Sequence, residues 1–269
     1  MKINKIFLLA AMALTGMGFA SCSDDDNFEP GKPAGSNNVY FVDEASQVLE
    51  LTATSFTITM GRADAGSALS VPLTQVQVDP VFTVPATAEF AAGQTETEVT
   101  IQISAEAVPF TNYQLRLAIP EEYTSPYKVN EKGYVPEMNV NIMKEDYKPF
   151  QKGTYYSQFN DAEVHNNVLE YSEMQKTYRV KVVDEAMEHT FTFTIDANNK
   201  IHINEKQIYQ GWDYSDEYGG VYAMQADDKE SFYDESDGDK TYIFGFKYAL
   251  PKAGLSFTNS AYDYFVVEE

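Results

Sequence analysis

Along much of the chain, apolar and polar residues alternate with a period of two. Phe56-Thr57-Ile58-Thr59-Met60 sets the pattern, and Val99-Thr100-Ile101-Gln102-Ile103 repeats it. Tyr113, Leu115, Leu117 and Ile119 alternate with Gln114, Arg116 and Ala118. This period sends successive side chains to opposite faces, which is how a half-buried strand reads. Leu69 to Val78 alternates similarly, and Pro72, which cannot donate to a ladder, puts its start at an edge or bulge. Val39-Tyr40-Phe41-Val42 opens the set. Gly61, Gly66, Pro80, Pro85, Gly93, Pro109 and Pro120 punctuate it. Short strands at this spacing predict a β-sandwich over residues 39–143.

A second series follows the polar stretch Lys144 to Phe150, which reads as a linker. Gly153-Thr154-Tyr155-Tyr156 opens it, and Tyr178-Arg179-Val180-Lys181-Val182 alternates with its basic residues outward. Phe191 to Ile195, the turn Asp196-Ala197-Asn198-Asn199-Lys200, and Ile201-His202-Ile203 predict a β-hairpin with suitable turn chemistry. Tyr242 to Tyr248 and Tyr262 to Val267 supply further strands. The fold class is therefore all-β: a sandwich, then a second antiparallel β-domain over 151–269. No stretch sustains a helical period, and no internal repeat relates the two halves.

The N-terminus carries a different signal. Lys2 and Lys5 precede an apolar run from Ile6 to Phe19, short for a membrane span. Phe19-Ala20-Ser21-Cys22 is similar to a bacterial lipobox, and Cys22 is the only cysteine. The resemblance implies a signal peptide over 1–21 and a lipidated Cys22 that anchors the mature chain through several acyl chains. The alternative is a plain secretory signal that leaves Cys22 as a free thiol. Ser23-Asp24-Asp25-Asp26 resembles the acidic export tag of Bacteroidota-type surface lipoproteins, and otherwise reads as a solvated tether. The Pro- and Gly-rich stretch to Asn38 reads as a disordered spacer, so 22–38 is tether. These features imply an outer-membrane lipoprotein facing the cell exterior, with the membrane as partner through the lipid. A single cysteine leaves no intramolecular disulfide.

Ala88-Glu89-Phe90-Ala91-Ala92-Gly93-Gln94, running on to Glu98-Val99-Thr100-Ile101, resembles the hairpin of Calx-β-like immunoglobulin-fold domains. Arg62, after the Phe56–Met60 strand, fits the same rhythm. Calcium-binding members carry an acidic cluster after this strand, whereas Ser104-Ala105-Glu106-Ala107-Val108 offers one carboxylate here. Calcium needs six to eight oxygens, so the resemblance implies the fold without that site. The order of elements in the second domain is similar to C-terminal domains of uncharacterised Bacteroidota surface lipoproteins.

The formal charge is −22, from 19 Lys and Arg against 41 Asp and Glu. Removing residues 1–21 takes away Lys2 and Lys5 and no acid, which leaves −24. A chain this acidic lacks the basic footprint of a nucleic-acid binder. His165, His189 and His202 are the three histidines, each expected in a surface or structural role, with His202 facing solvent. No Gly-x-Ser-x-Gly elbow, His-Glu-x-x-His, cysteine pair or phosphate loop occurs. No enzyme, cofactor or metal is therefore expected, although a glycosidase needs only two carboxylates, placed by three-dimensional spacing. The acidic stretch Asp227 to Asp239 fails the EF-hand order, because Tyr233 falls where the first Asp belongs. It reads as a solvated loop, with a weak metal alternative.

Gly211 to Gly220 holds the only Trp in a polar, Gly-bounded segment read as a loop. Trp212, Tyr214 and Tyr218 could offer flat faces to sugar rings, with Asp213 or Asp216 accepting from hydroxyls. Against this, large aromatics usually bury most of their area, which favours Trp212 as a plug in the core of a small β-domain. The leading expectation is a non-enzymatic surface lipoprotein that binds or presents a glycan or protein. The alternatives are an accessory subunit of an outer-membrane nutrient-uptake complex and an uncharacterised hydrolase.

Overall fold

A computed structural model of the protein describes residues 38–42, 46–124, 135–236 and 238–268. Cys22, the signal-peptide reading and the tether lie outside the described residues, as does Asp237 of the acidic stretch. The protein is all-β: the described residues hold no α-helix, only two single-turn 3-10 helices. No helix among them is long and apolar enough to cross a membrane.

The chain divides into two compact units, the first ending its last segment at Ile142 and the second running on from Met143. Ten strands precede the divide or cross it: β1 Val39–Phe41, β2 Gln47–Glu50, β3 Ser55–Arg62, β4 Leu69–Pro72, β5 Thr74–Val78, β6 Phe82–Thr83, β7 Thr87–Phe90, β8 Glu96–Ile103, β9 Tyr113–Ala118 and β10 Glu137–Glu145. They form two four-stranded sheets, β1-β3-β8-β6 and β2-β10-β9-β5, with β4 and β7 as a separate pair. This is an immunoglobulin-like sandwich. The expected alternation is real: Phe56, Ile58, Met60, Val99, Ile101, Leu115 and Leu117 are all buried. Leu69 to Val78, read as one strand, is two. The chain leaves the β4–β7 pair at Pro72 and joins the other sheet as β5.

Arg62 ends β3 almost fully buried. Its guanidinium donates to the carbonyls of Ser67 at 2.7 Å, Ala91 at 2.7 Å and Gln94 at 2.8 Å, and lies over the Phe90 ring. A rigid fork of donors suits three converging carbonyls, so this charge is buried with its hydrogen bonds made. Arg62 thereby fastens the very hairpin, Ala88 to Gln94, that carries the Calx-β resemblance.

The second unit contains β11 Lys148–Ser157, β12 Ala162–Ser172, β13 Thr177–Asp184, β14 Met187–Ile195, β15 Ile201–Ile203, β16 Ile208–Ser215, β17 Gly219–Gln225, β18 Phe232–Asp234, β19 Thr241–Leu250, β20 Leu255–Ser256 and β21 Ala261–Val267. All join one antiparallel sheet, ordered β15-β14-β13-β12-β11-β21-β19-β17-β16, with β18 and β20 both on β19. The sheet curls, so that β16 packs beside β14. Its concave face is filled by aromatic side chains, among them Phe191, Phe193, Phe244, Phe246 and Phe265.

Lys144 to Phe150, expected as a linker, is instead the end of β10, two connecting residues and the start of β11. Its acidic residues are buried because each finds a partner. Glu145 takes a two-pronged bond from Arg179 at 2.6 and 2.7 Å, and Asp146 accepts from Ser172 and from the Met174 amide. The polar stretch around His165 is likewise strand: β12 tolerates it because one face is solvated and the β11–β12 ladder shifts register between Gly153 and Tyr155.

Candidate functional site

Gly211 to Gly220, read as a loop, is a hairpin: the end of β16, a turn, and the start of β17. Gly211 makes the bend possible. Its φ is +86°, and an added Cβ would meet the Glu188 backbone of β14 at 2.5 Å. The ladder loses register from Tyr209 to Ser215, a local irregularity that re-aims the side chains beyond it.

Trp212 is half-buried against the aromatic core, between the two readings its sequence allowed. Its Nε1 donates to Asn160 Oδ1 at 3.1 Å, in the turn between β11 and β12. Its ring lies nearly parallel to Phe159, centroids 6.4 Å apart. Phe159 stacks on Tyr248 at 3.8 Å and meets Phe257 edge-on at 4.8 Å. Tyr214 meets both Phe257 and Tyr218 edge-on. The outer end of this cluster opens into a cavity of about 290 Å³ lined by Tyr214, Tyr218, Leu250, Leu255, Ser256 and Phe257. Tyr214 is 54% exposed and Leu255 52%.

The structure thus brings Tyr214 and Tyr218 together on one cavity and sets Trp212 behind it. Asp213 and Asp216 are elsewhere. Asp213 is exposed and accepts from the Tyr209 hydroxyl at 3.2 Å, and Asp216 is exposed with its main-chain carbonyl taken by Lys252 Nζ at 2.7 Å. Phe257, Leu250 and Leu255 complete the cavity from segments far along the chain, and no local pattern near the Trp pointed to them.

Deeper in the same unit is a polar cluster that sequence reasoning missed. Asp263 is fully buried, and its Oδ2 accepts from Tyr155 at 2.8 Å and from Tyr248 at 3.0 Å. Its Oδ1 has no hydrogen-bond partner among the described residues. Burial pushes the Asp263 carboxyl up to about 6, against the pull of the Tyr155, Tyr248 and Ser157 hydroxyls. His189 is also buried, with Nε2 3.3 Å from the Tyr155 hydroxyl and Nδ1 without a partner among the described residues. Burial lowers its imidazole to about 4. The signal was in the alternation: His189 shares a face with Phe191 and Phe193, and Asp263 with Phe265.

The other histidines lie at the surface. His202 pairs with Asp196 at 3.2 Å and His165 with Glu163 at 3.1 Å. Within the acidic stretch, read as a solvated loop, Phe232–Asp234 form a strand paired to β19 and Asp228 accepts from Ser260. Among the described residues no group of three or more His, Cys, Asp or Glu side chains is placed to hold a metal ion.

No protein-family model matches the chain, and no curated protein does. Solved structures do. The apo form of a Calx calcium-binding domain, CBD1, aligns over 40% of this chain and 97% of its own, with 14% identity and a TM-score of 0.30. A protein of unknown function from Bacteroides ovatus aligns over 86% of this chain and 91% of its own, with 9% identity and a TM-score of 0.35. An auxiliary nutrient binding protein from Bacteroides thetaiotaomicron aligns over 84% and 90%, with 7% identity and a TM-score of 0.33.

Proposed function

We propose that this protein is a non-enzymatic lipoprotein, anchored by Cys22 in the outer membrane and facing outward, whose second unit binds a glycan at the Tyr214–Tyr218–Phe257 cavity. The observation that carries this reading is the cavity itself. Three aromatic rings surround a half-open space whose lining is mostly apolar, at the tip of a hairpin. Aromatic faces suit the C–H face of a pyranose, and the tyrosine hydroxyls and Ser256 offer hydrogen bonds at its edge. Trp212 and Phe159 act from behind, holding Phe257 and Tyr248 in place without touching ligand.

The test is an array of immobilised neutral and acidic glycans probed with the purified full-length chain. Tyr214→Ala and Phe257→Ala should each weaken the signal about tenfold, the worth of one aromatic contact. Tyr209→Ala, on the outer face of β16, should leave it unchanged. Glycan signals indifferent to both cavity variants would remove this cavity from the reading.

A second reading has one observation in its favour. Leu255 is half exposed on the cavity rim, as suits an apolar side chain of a protein partner. The protein would then act as an accessory subunit of an uptake complex. Co-purification of an envelope partner, lost with Leu255→Asp, would support it.

A further inference from the structure

The turn Gln158–Asp161 touches the lining of one cavity through Phe159 and lines another directly. Phe159 points into the aromatic cluster behind the first. Gln158 and Asp161 line the second, a space of about 340 Å³ completed by Tyr156, Ser157, Ala162, Glu163 and Tyr264. Tyr156 and Tyr264 are directly opposed residues of β11 and β21, so their rings leave the same face of the sheet as neighbours. Tyr156 is 36% exposed.

The polar groups around this ring pair are fixed. Gln158 Oε1 accepts from the Tyr262 amide at 2.9 Å, and its Nε2 donates to the Tyr264 hydroxyl at 3.1 Å. Held at both ends, this amide keeps one Nε2 hydrogen to offer, and the Tyr264 hydroxyl keeps its own. The Asp161 carboxylate has no hydrogen-bond partner among the described residues. Glu163 is held by His165 at 3.1 Å, and no Lys or Arg lines the space. Ser157 closes the floor, almost fully buried.

We infer that this cavity is a second carbohydrate site, with a lining distinct from the first, taking a neutral pyranose. The paired tyrosines offer apolar area to a ring face. Asp161 and Glu163 accept from hydroxyls, and Gln158 and Tyr264 donate to them. The Asp161 carboxylate, with no Lys or Arg in the lining, repels uronic acids, sialic acids and phosphorylated sugars. The inference stands on its own residues and does not need the first cavity to bind sugar.

The experiment is an array of neutral oligosaccharides (glucans, mannans, galactans and N-acetylglucosamine oligomers) probed with the full-length chain. Tyr264→Ala and Asp161→Asn should each cut a common subset of signals about tenfold, and Phe257→Ala should spare that subset. Asp161 is an exposed turn residue at φ +48°, a conformation Asn adopts readily, so Asp161→Asn tests the site even if Tyr264→Ala perturbs folding. If no neutral-glycan signal responds to either variant, the inference fails. It also fails if 10 mM cadaverine abolishes the Asp161-dependent signal, because the site would then bind an ammonium group. Failure of the first cavity shows separately, as indifference to Phe257→Ala and Tyr214→Ala.

Discussion

Asp263 and His189 share Tyr155 as a neighbour, and burial pushes their proton affinities in opposite directions. The folded carboxyl titrates at about 6 instead of 3.8, so between those values the native state holds the extra proton. Its contribution to stability is complete below about pH 4 and is lost as pH rises through 6. The folded imidazole titrates at about 4 instead of 6.5, so there the unfolded state holds the extra proton. Its contribution is present above pH 6.5 and is lost as pH falls through 4. Across the shared window the two slopes oppose each other. Asp263→Asn should therefore unmask stability that rises from pH 4 to 6.5 relative to wild type. His189→Gln should unmask the reverse. Urea unfolding of the three proteins at pH 4.5, 5.5 and 6.5 measures it, and parallel curves would show that the two groups do not titrate in this window.

At the scale of elements, period-two reading found the strands with strong alternation and failed where polar residues face solvent or the ladder is irregular. Phe56–Met60 and Val99–Ile103 have the buried faces their sequence states. β12 was hidden because Glu163 to Asn167 contribute little apolar signal, and β16 because Gly211 and Gly220 resemble loop punctuation. The faces of His189 and Asp263 were legible from their alternation with Phe191 and Phe265. The cavity was not, because it depends on the curl that brings Phe257 to Tyr214. The bend at Gly211 is where that arrangement is most sensitive. A methyl group there meets β14 backbone, which cannot move aside as a flexible side chain would. Gly211→Ala should cost about 2 kcal/mol or more, from the clash and the positive φ together. Since Trp212 is the only tryptophan and sits next to the bend, its emission should shift toward the red as the ring loses its packing. Unchanged emission with unchanged stability would mean the β14–β16 contact is looser than its geometry.

For the whole molecule, charge and attachment belong together. A chain at −22 is repelled by anionic lipids and polyanions, so the membrane attachment proposed above would rest on the lipid and not on charge. Cys22 is the only cysteine, so it is the one residue that could carry the proposed thioether-linked lipid. If the proposed placement holds, proteinase K applied to intact cells should remove an epitope fused after Glu269. Cys22→Ser should move the protein out of the membrane pellet while its thermal unfolding stays the same, since the two folded units hold no other cysteine and owe nothing to a disulfide. Full protection from the protease in intact cells, with loss of the epitope only after the outer membrane is opened, would turn the proposed binding face toward the periplasm. The glycan readings of both cavities would then have to be tested against ligands that have already crossed the outer membrane. That outcome would leave the cavities' geometry untouched and change only which sugars can reach them.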